Sequence, residues 1–165
     1  DFLIARTSQL SAADDLATEI LFDEPFLAVA GTSSRWARAR ALRLDQLMGE
    51  SWILPPYDSV AGSLLLQLFR ANNVAPPEPS IATLSVQLTV TLIAGGRFVG
   101  LLPRSTAQFN AKRVGLKILP MQLPGARIAA GVITVKNRTL SPLADLFIDC
   151  ARDVAKSIAS AAEGP

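Results

Sequence analysis

Short apolar runs, most of them closed by glycine or proline, alternate along this chain with segments whose apolar residues recur at helical spacing. That alternation restricts the fold to the α/β class. Phe2, Leu3, Ile4 and Ala5 form a continuous apolar run, the pattern of a buried strand in a parallel or mixed sheet. Nothing before it is available to pair with, so the chain is expected to enter its fold part-way. Residues 7–18 are polar and short-sided and read as a loop. Residues 19–30 read as extended, with Pro25 inside the run, which places them at an edge or a crossover. Trp52, Ile53 and Leu54 are a short strand stopped by Pro55 and Pro56. Val60, Ala61, Leu64, Leu65, Leu68 and Phe69 then share one helical face, with Asp58 or Ser59 as N-cap and Asn72-Asn73 as the end. Pro76, Pro77 and Pro79 make a stiff surface connection.

Residues 84–94 fit two patterns. Leu84, Val86, Leu88, Val90 and Leu92 alternate as in a strand, while Val86, Val90 and Ile93 share a helical face that Gly95-Gly96 would close. Residues 98–102, 116–119 and 128–135 read as strands, and 105–109 as a helical turn. Ser141-Pro142 opens a helix, serine as N-cap and proline at the first helical position. Its apolar stripe is Leu143, Leu146, Phe147, Cys150, Val154 and Ile158.

Several function classes fall away on composition. The chain has no histidine and one cysteine, which removes serine–histidine and cysteine–histidine catalysis, histidine metal sites and zinc or iron–sulfur sites. No phosphate-cradling P-loop is present, and Gly95, Gly96 and Gly100 do not form a dinucleotide fingerprint. Asp14-Asp15 and Asp23-Glu24 are adjacent acidic pairs that read as solvated side chains, not as an acid–base pair across a cleft. No enzyme activity and no cofactor are expected. Cys150, on the stripe of its helix, reads as an inert core residue. The net charge of +2 is too small to point to nucleic acid. Arg35, Arg38, Arg40 and Arg43 around Trp36 read as a solvated loop with the indole packed inward. The apolar runs are too short to span a bilayer, and no secretion signal opens the sequence, so a cytoplasmic location is expected.

One place has binding chemistry. Pro55-Pro56-Tyr57-Asp58-Ser59-Val60 joins a strand end to a helix start, where free backbone N–H groups suit a carboxylate or another anion. Arg6, after the first strand, offers a bidentate cation. A plain helix cap for Ser59 and a surface ion pair for Arg6 are equally open readings.

The order of motifs resembles the LysR-type transcriptional regulators. Asp1-Phe2-Leu3-Ile4-Ala5-Arg6 is similar to the family's Asp-apolar-x-Ile-Gly/Ala-Arg strand. Residues 21–29 resemble its crossover strand. Leu44-Asp45-Gln46-Leu47 and Trp52-Ile53-Leu54-Pro55 follow its Leu-x-x-Leu and Trp-Ile segments. Residues 93–103 resemble its Val-Ala-x-Gly-x-Gly-apolar-x-x-Leu-Pro signature, with Phe98 where the second glycine usually stands. Leu140-Ser141-Pro142-Leu143-Ala144 matches the start of the family's last helix. The resemblance implies an α/β sensor with two lobes, like a type 2 periplasmic binding protein, and a helix over residues 85–94. It implies a complete second lobe, residues 26–127, and a partial first lobe, residues 1–25 and 128–165. It also implies that a small-molecule effector binds between the lobes, and Arg6 and the helix start suggest an organic or aromatic acid. Arg6, Pro56, Tyr57, Asp58, Ser59, Val60 and Gly131 would be the contacting residues. The family further implies a homo-oligomer, dimer or tetramer, that meets DNA only through an N-terminal winged helix-turn-helix. A solute-binding protein of a transport system, sharing the fold, is the alternative.

Overall fold

In the computed structural model, which describes residues 2–6, 15–125 and 127–160, the apolar runs become strands and the helical-period segments become helices. The strands are β1 (Phe2–Arg6), β2 (Leu16–Gly31), β3 (Trp52–Leu54), β4 (Ile81–Ala82), β5 (Val99–Pro103), β6 (Leu116–Ile118) and β7 (Arg127–Val135). The helices are α1 (Val60–Ala71), α2 (Val86–Ala94), α3 (Arg104–Ala111) and α4 (Pro142–Ser160), with 3-10 turns at Arg35–Arg38 and Leu44–Leu47. The chain divides into two compact units: unit 1 is Asp1–Glu24 with Arg127–Pro165, and unit 2 is Pro25–Ala126.

In unit 2 the later part of β2 runs antiparallel to β5, from Phe26 opposite Pro103 to Ala30 opposite Val99. It also runs antiparallel to β6, with Gly31 opposite Leu116. β3 lies parallel to β5, and β4 parallel to β3. Val29, Ile53, Val90, Ile93, Leu102, Ala107 and Leu116 form one buried cluster, against which Phe98 packs. The ambiguous segment is helical. Val90 and Ile93 are buried on one face while Val86 and Leu88 are exposed, so the helical period wins over the strand alternation. Ser85 caps this helix, its Oγ accepting from Leu88 N at 3.2 Å. Gly96 takes the left-handed turn beyond it, at φ 81°. Trp52 is fully buried, edge-on to Phe69 with ring centroids 5.8 Å apart. Its indole N–H donates to Leu47 O at 3.1 Å, which ties the 3-10 turn to β3.

In unit 1, β7 has β1 on one side and β2 on the other. β1 is antiparallel to β7, from Phe2 opposite Thr134 to Arg6 opposite Ala130. Residues 16–18, expected as loop, are already strand, whereas 7–14 of that expected loop lie outside the described residues. Ser141 Oγ accepts from Ala144 N at 3.2 Å, so α4 starts where its Ser-Pro pair predicts. Its buried face differs from the expected stripe. Ile148 and Ala155 are buried and Ala144 and Ala151 partly so, while Leu143, Leu146, Phe147 and Val154 face solvent. Cys150 is exposed as well, not a core residue. The helix carries two apolar faces, and the one with Ala144, Ile148, Ala151 and Ala155 is the face that is covered.

Candidate functional site

The turn from β3 into α1 is held by a short chain of hydrogen bonds. Pro55 and Pro56 have no N–H and end the strand. The Pro56 carbonyl oxygen accepts from Ser59 N at 3.0 Å and from Ser59 Oγ at 2.6 Å. Ser59 is the N-cap: its Oγ accepts from Gly62 N at 3.1 Å, and its carbonyl from Ser63 N at 2.9 Å. Helix geometry leaves the N–H groups of Val60 and Ala61 without a carbonyl partner inside α1, at the positive end of its dipole. That arrangement accepts a carboxylate or another anion.

Gly62 makes the turn possible. A Cβ there would run into the Pro56 carbonyl oxygen, so the first turn of α1 packs against Pro56 only with glycine at this position. Tyr57 OH donates to Pro77 O at 2.6 Å, fastening the junction to the proline connection, and burial pushes its phenol above the ordinary value. Asp58 and Val60 are exposed beside the half-buried Pro56, Tyr57 and Ser59. These five residues, predicted from sequence as one place, do form one turn.

In unit 1, Arg6 donates to Glu24 Oε1 at 2.8 Å. The Glu24 side chain is only 3% exposed, against 35% for Arg6. Glu24 is therefore not the solvated acid the sequence indicated, and one arm of the Arg6 guanidinium is committed to it. Its neighbour Asp23 does lie at the surface, paired with Arg127. Gly131 is buried in β7, opposite Ala5. Sequence reasoning missed Glu24 and Gly62. Strand alternation held the signal for the first, since Glu24, Phe26, Ala28 and Ala30 share one face and all are buried. A glycine inside a helical pattern held it for the second.

An open recess of about 690 Å³ in unit 2 is bounded by Arg43, Asp45, Asn72, Asn73 and Gln122. It lies at the other end of α1 from the β3–α1 junction, and several of its polar groups are engaged. Asn72 Nδ2 donates to Leu68 O and Pro124 O, both at 2.8 Å, and Arg43 pairs with Asp45. Among the described residues, no group of three or more His, Cys, Asp or Glu could hold a metal ion.

A sequence model of the LysR substrate binding domain matches residues 1–156. The chain belongs to the LysR substrate-binding domain family. Among curated proteins, this LysR-type chain is similar to the transcriptional dual regulator GltC of Bacillus subtilis, at 28% identity over 137 residues. The match covers 82% of the chain and 44% of GltC. The chain spans less than half the length of the curated relatives it matches. Among solved structures it resembles the Synechocystis PCC6803 CcmR regulatory domain in complex with 2-PG. There the TM-score is 0.74 at 21% identity, over 94% of this chain and 74% of that one. It also resembles the effector binding domain of QuiR in complex with shikimate, with a TM-score of 0.72 at 19% identity over 95% and 72% of the two chains. These likenesses establish the α/β, periplasmic-binding-protein-like fold.

Proposed function

We propose that this chain is the effector-sensing part of a LysR-type transcriptional regulator and takes up a small organic acid. The observation that carries this is the β3–α1 junction, where Ser59 and Gly62 hold a tight turn and two first-turn N–H groups have no carbonyl partner inside the helix. Family membership and the ligands named for CcmR and QuiR support the same reading, shikimate being itself a carboxylate. Pro56, Tyr57, Asp58, Ser59 and Val60 are the effector-contacting residues of unit 2, and Arg6 and Gly131 those of unit 1. The two units serve as the two lobes of the sensor. The family match and the regulators among its relatives support a binding role for the chain. The relatives found are regulators, and nothing favours a transport protein.

Regulation would work by population shift. The effector changes the balance between two states only as far as it binds one better than the other. In the full-length protein that balance would reach DNA through an N-terminal winged helix-turn-helix in a dimer or tetramer, within the cytoplasm. No helix among the described residues is long and apolar enough to cross a membrane.

Titration calorimetry against a panel of small carboxylates tests the proposal, with Val60→Pro as the informative variant. Proline is accommodated at the first helical position but has no N–H, so the variant removes one anion donor and keeps the helix. Affinity should fall by about tenfold, the equivalent of one charge-assisted hydrogen bond. Equal affinity in Val60→Pro would remove the junction from the site, and equal affinity in Arg6→Ala would remove Arg6.

A further inference from the structure

The small net charge of the chain conceals a strong separation. Unit 2 holds ten of the sixteen Lys and Arg and four of the fourteen Asp and Glu, a net of +6, while unit 1 holds six and ten, a net of −4. The excess cations of unit 2 gather at one end of its sheet. β2 finishes there at Gly31, and β3, β5 and β6 begin there, with Trp52 opposite Val99 and Leu116 opposite Gly31. The loops at this end touch. Thr32 N donates to Gly115 O at 2.9 Å, and Gly96 sits directly against the Ser33 hydroxyl. Arg35, Arg38 and Arg40 follow the first loop, Arg97 stands in the second, and Lys112 and Arg113 precede the third; all six are exposed. Arg35 pairs with Glu50 and lies over the Trp36 ring, its guanidinium carbon 4.8 Å from the centroid. The other five make no ion pair among the described residues. The β3–α1 junction lies at the opposite ends of these strands, past Leu54.

We propose that this cationic end of unit 2 is a docking face for the phosphate backbone of duplex DNA. Cations spread over three loops match an extended array of phosphates, whereas a single small anion would call for convergent donors in a pocket. Five of the six are arginines, whose planar forks suit phosphate oxygens. The choice of DNA over another polyanion rests on the reading of the chain as part of a regulator. The contact would add to a helix-turn-helix without reading sequence, so it would depend steeply on salt.

Fluorescence anisotropy of a labelled duplex of arbitrary sequence, titrated with the 165-residue chain, tests this. Binding is expected at about 20 mM salt and should weaken linearly on a log–log plot as salt rises. Arg38→Glu, Arg97→Glu and Arg113→Glu should each lower affinity by about fivefold and flatten the salt slope by about one or more. Lys156→Glu, the same charge change on α4 of unit 1, should leave both nearly unchanged. Absence of binding at low salt, equal weakening by Lys156→Glu, or displacement by polyglutamate as effective as by unlabelled duplex would each overturn the proposal. Calorimetry with small carboxylates in the absence of DNA reports on the effector reading separately, so the two can fail independently.

Discussion

At the scale of single residues, the tightest constraint is Gly62. Its hydrogen atom faces the Pro56 carbonyl oxygen, and a methyl group in that place has no room without moving backbone. Gly62→Ala should destabilise unit 2 by about 2 kcal/mol or more, despite alanine's better helix propensity, because the clash displaces the first turn of α1. Urea unfolding compared with wild type checks this; a neutral or stabilising substitution would show that the first turn of α1 can yield without cost. Glu24 teaches a related lesson about reading sequence. Next to Asp23 it looks like one of two solvated acids, yet the two side chains leave the strand on opposite faces, and only Asp23 reaches the surface. The partner that makes its burial tolerable, Arg6, lies eighteen positions away and is brought close by pairing alone.

Elements were legible where local chemistry decides them. Ser59, Ser85 and Ser141 each cap a helix through a side-chain oxygen; the neighbours of Ser59 and Ser141 predict a start there, whereas the helix at Ser85 was implied by the resemblance. The faces of α4 were not legible, since both of its apolar stripes satisfy the helical period and only the sheet chooses between them. Leu143 is 76% exposed and Leu146 61%, with the Phe147 ring tilted against Phe2 at 5.3 Å between ring centroids. This outward stripe should drive self-association of the chain at high concentration. Leu143→Gln with Leu146→Gln should lower the weight-average mass in light scattering towards the monomer; a wild-type chain already monomeric would contradict it. The docking of α4 also has an acid limit. Arg152 forms a two-pronged pair with Glu19 of β2, at 2.8 and 2.7 Å. That hydrogen-bonded guanidinium lowers the Glu19 pKa from its ordinary 4.5. A depressed carboxyl contributes stability above its unfolded pKa and loses it as pH falls through the folded one. Both side chains are nearly half exposed, so the contribution is about 0.5 kcal/mol or less. Glu19→Gln should flatten stability against pH below 4.5 and leave the rest of the profile in place, as followed by urea midpoints.

For the molecule as a whole, the alternation of strands and helices led to the α/β class, and motif order led to the family. The charge separation between the units stayed hidden, because a sum over the chain discards where each charge lies. The residues proposed to meet the effector were legible in unit 2, where they are contiguous. In unit 1, Arg6 was read from its place after the first strand and Gly131 from the resemblance, and neither shows that Arg6 is already engaged or that Gly131 is buried. The effector reading depends most on the N–H groups at the start of α1 that lack a partner inside the helix. Backbone amide NMR during titration with small organic acids, shikimate first, examines them directly. The account predicts saturable shifts largest at Val60 and Ala61. Saturable shifts confined to other regions, such as the recess around Asn72 and Gln122, would contradict it.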